Sequence, residues 1–207
     1  MDPLSQDLRP RITNTALVHS SGDELVWDSW CLYGDPHLMA QVLEAAEELV
    51  ERQFGNDFDV LVAAGWADPF VLTAMLAQRM VKPCAAFLSG RSPAPVWAPR
   101  IPSGKRVVVV DHVVNYGTHI HYVMEDLARA DADVLGAVVL LDNDTSDGRL
   151  PIVKEWVAAG KIVSLIKASD IVAERGARKL RLEEEEEHPD SPGETCHKDG
   201  CDPAHLV

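Results

Sequence analysis

The sequence predicts an α/β fold built on a largely parallel sheet. Three observations carry that expectation. From Asp35 onward, short apolar runs alternate with amphipathic segments at helical spacing. The best-marked runs end in glycine or aspartate, where a strand gives way to a loop. Three of the amphipathic segments open on a first-turn proline, at Pro36, Pro69 and Pro151.

Asp35 supplies an N-cap, and Leu38, Met39, Val42, Leu43, Ala46, Leu49 and Val50 then recur at helical spacing until Gly55. "FDVLVAAG" (58–65) is a continuous apolar run ending in glycine, expected as a central strand. Asp68-Pro69 begins the next helix, through about Met80, and "CAAFL" (84–88) reads as a further strand. "RVVVVD" (106–111) is the clearest strand of the chain; a helix over 118–130 and a strand over 134–142 follow. Pro151 opens a helix that Gly160 closes, and "KIVSLI" (161–166) with a short segment from Ser169-Asp170 completes the pattern.

Two segments break it. Residues 89–105 carry Pro93, Pro95, Pro99 and Pro102 with no periodicity, so a long loop between strands is expected, of the kind that carries function. Residues 182–207 are acidic, then rich in Pro, Gly, His and Cys, and cannot build a core. One domain over 1–181 and a tail over 182–207 is the resulting organisation.

Size and charge narrow the function. At 207 residues and 46% hydrophobic content there is enough chain for one sizeable core. Asp and Glu number 33 against 19 Lys and Arg, a formal charge of −14, so the surface repels nucleic acid and anionic membranes. An anionic ligand therefore needs a local site. No apolar run approaches the ~18 residues of a spanning helix, and "MDPLSQDLRPR" lacks the order of a signal peptide. A cytoplasmic protein with reduced thiols at Cys31, Cys84, Cys196 and Cys201 is expected.

The stretch "VVVVDHVVNYGTHI" (107–120) places Asp111 and His112 at the expected C-terminal end of a buried strand. Ligands of open parallel sheets gather at such ends. Asn115, Tyr116, Gly117 and Thr118 form the turn into the next helix, whose free amides and dipole suit a phosphate without any lysine. The same pattern also fits an ordinary strand-turn-helix connection capped by Thr118.

With those residues in view, the chain resembles the type I phosphoribosyltransferases. "VVVVDHVVNYGTH" is similar to their phosphoribosyl pyrophosphate (PRPP) motif of four apolar residues, two acids, two apolar residues and a phosphate loop. The order of elements resembles the orotate branch. "LVHSSGDELVWDSWCLYGDP" (17–36) is similar to its substrate-side N-terminal segment, "DVLVAAGWADPF" to its pyrophosphate loop, and the chain from "VVLLDND" to "KASDIV" to its closing elements. The resemblance spans about residues 12–173.

It implies a type I phosphoribosyltransferase-like fold with a small hood from about 12–34 and 160–175. It also implies transfer of 5-phosphoribosyl from PRPP to a nitrogenous base with release of pyrophosphate, assisted by Mg²⁺, in a protein that commonly forms homodimers. Carried over by position, Asp111 and His112 occupy the ribose-binding acid pair, and Asn115, Tyr116, Gly117, Thr118 and His119 the 5′-phosphate loop. Gly65, Trp66, Ala67 and Asp68 occupy the pyrophosphate loop, and Arg91 stands in the long loop where it would assist pyrophosphate.

Several of these positions depart from the family pattern. His112 replaces the second acid and brings no anionic charge toward a sugar cation. Ser20 stands where a lysine is usual, and Asn143 where an arginine contacts the carboxylate of orotate. The expected acceptor is therefore a base other than orotate, with a non-catalytic binder of PRPP or a nucleotide 5′-phosphate as the other reading. Asp68 fits either a helix cap or pyrophosphate work. His119 and His121 are two apart and cannot share one helical face for a metal. Trp27, Trp30 and Tyr33 fit a base-stacking wall or packing in the core or a dimer. In the tail, Cys196, His197, Cys201 and His205 fit a Zn²⁺ site, although an acidic tail without structure also accounts for them.

Overall fold

The computed structural model describes residues 8–21, 24–27, 30–65, 67–87, 97–99, 103–144 and 148–173. Helix α1 (Leu8–Ala16) leads into an antiparallel pair, β1 (Leu17–Ser21) and β2 (Glu24–Trp27), and then the single turn α2 (Trp30–Tyr33). Helical periodicity does not announce α1, because its buried stripe is little more than Leu8 and Ile12, one turn apart. Helix α3 (Pro36–Phe54) begins where Asp35 Oδ1 accepts the amides of His37 at 3.0 Å and Leu38 at 2.9 Å. All seven apolar residues of its predicted stripe are buried.

The main sheet contains β3 (Val60–Ala63), β4 (Cys84–Phe87), β5 (Trp97–Ala98), β6 (Arg106–Val114), β7 (Asp133–Asp142) and β8 (Ile162–Lys167), in the order β5-β4-β3-β6-β7-β8. Five strands are parallel, and β5 pairs antiparallel with β4 at the edge. The long loop thus contributes one short strand. Pro95 and Pro99 flank it, and proline's missing donor confines such a strand to an edge.

Helices lie on both faces. Along β6, Val108 and Val110 join the core under α1, α3 and α4 (Asp68–Arg79). Val107 and Val109 join the opposite core, under α5 (Thr118–Arg129) and α6 (Pro151–Ala158). Apolar side chains on alternate faces of one strand are what burial on both sides requires. A helical turn begins at 168, after β8. Met1–Ile171 form one unit; of the second, Val172–Val207, only the first two residues are among those described. No helix among the described residues is long and apolar enough to cross a membrane.

This strand order fixes the site. The chain steps from β3 to β4 in one direction, then returns past β3 to β6 and continues outward through β7 and β8. The order therefore reverses between β3 and β6, and the crevice beyond their C-terminal ends is the position where such sheets bind ligands.

Candidate active site

A cleft of about 540 Å³ opens at this reversal, lined by Ala64, Gly65 and Pro69 from the β3–α4 side and by Asp111 through Ile120 from the β6–α5 side. Its size is that of a small-molecule site. Strand β6 runs further than the sequence indicates. It pairs with β3 only as far as Val110 but follows β7 to Val114, opposite Asp142. Asp111 and His112 therefore stand past the end of β3 while still held by β7, not at the strand end expected from the apolar run.

Asp111 is buried, at 5% exposure. Its Oδ1 accepts the His112 backbone amide at 2.8 Å and lies 3.0 Å from His112 Nδ1. Burial opposes a charged imidazole at His112. The Asp111 hydrogen bond, the Asp111 charge and the nearby Asp68 charge outweigh it, and the pKa of His112 is raised.

The turn after β6 brings Asn115 to His119 onto the cleft wall. Gly117 takes φ +80° as the N-cap of α5, and no side chain caps the helix. Thr118 is the first helical residue and not its cap, so the first amides of α5 and the positive end of its dipole are left for a ligand. A Cβ on Gly117 would lie 2.6 Å from Val153 Cγ2, so glycine is required both by conformation and by contact.

The facing loop is built similarly. Ala67, at φ 63°, caps α4 without a side-chain hydrogen bond, so Asp68 is not the cap but the acid of the first turn. Tyr33 Oη donates to the Asp68 carbonyl at 3.0 Å and ties α2 to the start of α4. Burial, with the Asp68 charge adding to it, pushes the Tyr33 phenol upward, so it remains a donor. Two helix N-termini thus converge on the cleft. That of α4 is already partly compensated by its own aspartate.

Other polar residues of the neighbouring segments do not line the cleft. His121 turns away toward Glu125, with Nε2 3.6 Å from Oε1, and toward Trp156, so it shares no site with His119. Lys105 pairs with Asp59 at 3.0 Å, at the N-terminal end of the strands. Trp66, Arg91, Cys196, His197, Cys201 and His205 lie outside the described residues.

The surroundings of Asn143 are the main feature that the sequence did not reveal. Asn143 is 6% exposed; its amide donates to the Val114 carbonyl at 2.9 Å and its Nδ2 to Asn115 Oδ1 at 2.9 Å. Beside it, Arg149 pairs with Asp142, both side chains almost fully buried. Arg149 was not expected at the site, since "TSDGRLP" reads as a polar turn and carries no pattern that would bury an arginine.

The chain has the type I phosphoribosyltransferase fold. Orotate phosphoribosyltransferase from Aeropyrum pernix superposes with a TM-score of 0.65 at 25% identity, covering 83% of this chain and 97% of that one. Adenine phosphoribosyltransferase from Saccharomyces cerevisiae, complexed with an imino-altritol bisphosphate and adenine, superposes at 0.64 with 16% identity, covering 78% and 100%. The Trypanosoma brucei adenine enzyme, in complex with AMP, pyrophosphate and ribose-5-phosphate, superposes at 0.61 with 14% identity, covering 82% and 85%. No family model and no curated protein matches the sequence. At the two lower identities the likeness speaks for the fold alone.

Proposed function

We propose that the protein transfers 5-phosphoribosyl from PRPP to a nitrogenous base other than orotate and releases pyrophosphate. The observation that carries this reading is the cleft at the β3/β6 reversal, where the uncapped start of α5 faces the buried carboxylate of Asp111. Backbone amides of 116–119 hold the 5′-phosphate, and the second oxygen of Asp111 accepts a ribose hydroxyl. Fixing both ends of the sugar presents C1 to the incoming base, so catalysis is chiefly positioning and exclusion of water. Asn143 supports an acceptor without a carboxylate. It offers no cation, and its amide group is committed to Asn115.

The described residues do not form a magnesium cage of their own. No three His, Cys, Asp or Glu side chains converge among them, and Asp111 Oδ1 is engaged by His112. Magnesium characteristically binds through one or two carboxylates together with substrate phosphates, so it would reach this cleft on the pyrophosphate of PRPP.

A second reading is favoured by one observation, the imidazole of His112 in place of an acid beside the sugar. On that reading the protein binds PRPP or a nucleotide 5′-phosphate as a regulator or enzyme partner without turnover. Calorimetric titration with PRPP and Mg²⁺, followed by pyrophosphate release against a panel of bases, separates the two. Release with any base supports transfer, binding without release supports the regulator, and no binding overturns both. Asp111→Asn is expected to weaken PRPP binding about tenfold, as loss of a charged hydrogen-bond acceptor implies.

A further inference from the structure

We propose that Arg149, fixed by Asp142, is the positioning residue that turns the amides of the 114–118 loop toward the cleft. Arg149 Nη2 donates to Asp142 Oδ1 and, at 3.3 Å, to the Val114 carbonyl; its Nε donates to the Asn115 carbonyl at 3.3 Å. The next residue, Leu150, donates its amide to the Tyr116 carbonyl at 3.0 Å. The Asn143 amide makes a second bond to the Val114 carbonyl. Three consecutive carbonyls, those of 114, 115 and 116, are thus drawn to the segment after β7.

Peptide geometry converts this into a binding function. In a planar trans peptide the C=O and the following N–H point in opposite directions. Holding the carbonyls of 114, 115 and 116 against Arg149 and Leu150 therefore turns the amides of 115, 116 and 117 the other way, onto the cleft wall that these residues line. Three amides fixed in one direction make an anion nest, extended by the start of α5. Arginine suits the task because its rigid planar fork reaches two carbonyls and a carboxylate at once, which the single ammonium of lysine cannot reproduce.

Burial explains the partner. Both side chains are almost wholly enclosed, Arg149 at 5% and Asp142 at 3%, and an unpaired guanidinium there would be unfavourable. A buried pair of this kind is weak evidence for net stability, because desolvation offsets the attraction between the charges. Its effect here is on loop shape. Gly148 belongs to the same device: a Cβ there would lie 2.6 Å from Tyr116 Cε1, so the loop and the segment behind it fit face to face.

The ligand consequence rests on the phosphate-binding reading above, but loop shape can be tested without ligand. Two variants are used, Arg149→Lys and the double change Asp142→Leu with Arg149→Met, which removes both charges together. Amide exchange at Asn143 and Leu150 is expected to quicken about tenfold or more in both, with sheet amides such as Val109 and Ala137 unchanged. Ribose 5-phosphate is expected to bind about 10- to 100-fold more weakly, the scale of a slightly misplaced site, at nearly unchanged melting temperature. Wild-type exchange at Asn143 and Leu150 in either variant overturns the proposal, as does wild-type ribose 5-phosphate affinity. Global unfolding of both variants would assign the pair to fold stability and overturn it equally. If the wild-type protein fails to bind ribose 5-phosphate, the phosphate-binding reading falls and amide exchange alone decides the role of Arg149.

Discussion

Asp111 and His112, adjacent on β6, are hydrogen-bonded to each other, with Asp111 Oδ1 3.0 Å from His112 Nδ1 inside the cleft. Where two acids would repel, an acid and an imidazole attract. The pair is therefore held together, and one oxygen of the Asp111 carboxylate is committed to His112.

The raised pKa of His112 makes that pairing pH-dependent. A group whose folded pKa lies above its unfolded value stabilises the fold fully below the unfolded value, about 6.5 for imidazole, and loses that contribution as pH rises through the folded value. Wild type should therefore exceed His112→Gln in melting temperature at pH 5.5, and the gap should narrow by pH 8.5. Melting curves at both values check this; a gap that widens with pH would refute it.

Gly117 tests the proposed phosphate loop directly. Alanine there must adopt φ +80° and place its Cβ within 3.0 Å of three Val153 atoms. Gly117→Ala is expected to cost about 1–3 kcal/mol in urea unfolding. Adding Val153→Ala should recover only part of the geometry of this turn, because it removes the clash and leaves the backbone strain. Ribose 5-phosphate titration of both variants reads how far the loop returns.

Gly136, at the start of β7, provides the contrasting case. A Cβ there would meet the Lys161 carbonyl oxygen at 2.3 Å and the Phe54 ring at 2.6 Å, at the opposite end of the strand from the cleft. Gly136→Ala should cost about 1–3 kcal/mol by overpacking. At temperatures where it stays folded, its ribose 5-phosphate affinity should equal that of wild type.

The contrast between Asn143 and Arg149 shows what the sequence discloses. Strands, helices and the turn at Gly117 were legible because each rests on local chemistry: a continuous or helically spaced apolar pattern, a capping aspartate, a glycine before a helix. The departure at Asn143 was legible because a motif sets an expectation for that position. Its new role, bracing Asn115 across 28 residues of chain, was not, since hydrogen bonds between loops leave no period. Arg149 was hidden for the same reason. A lone arginine in a polar turn looks exposed until β7 and α6 close around it. The extension of β6 past Asp111 was also invisible, because partner strands set the end of a strand as much as its own residues do.

Two strained residues give the last prediction. Ala67 and Val81 both lie at positive φ, 63° and 53°, without being glycine. Val81 follows α4 at a surface turn, is 88% exposed, and is β-branched, the least tolerant kind of side chain in that region. Nothing in the cleft depends on it. Val81→Gly should stabilise the protein by about 0.5–1 kcal/mol, the left-handed penalty less the extra chain entropy of glycine, and leave PRPP affinity unchanged. Ala67 carries similar strain between Gly65 and Pro69 on the cleft wall, where the Tyr33 bond to the Asp68 carbonyl helps to hold it. Strain kept at a ligand loop persists because its surroundings over-determine it. Ala67→Gly should therefore also raise stability, but by letting the loop relax it should weaken PRPP binding, by about threefold for each 0.6 kcal/mol of ordering that the ligand must then supply. Paired unfolding and titration experiments on the two variants check this. Equal PRPP affinity in Ala67→Gly and wild type would make the strain at Ala67 a by-product of the turn, as it is at Val81.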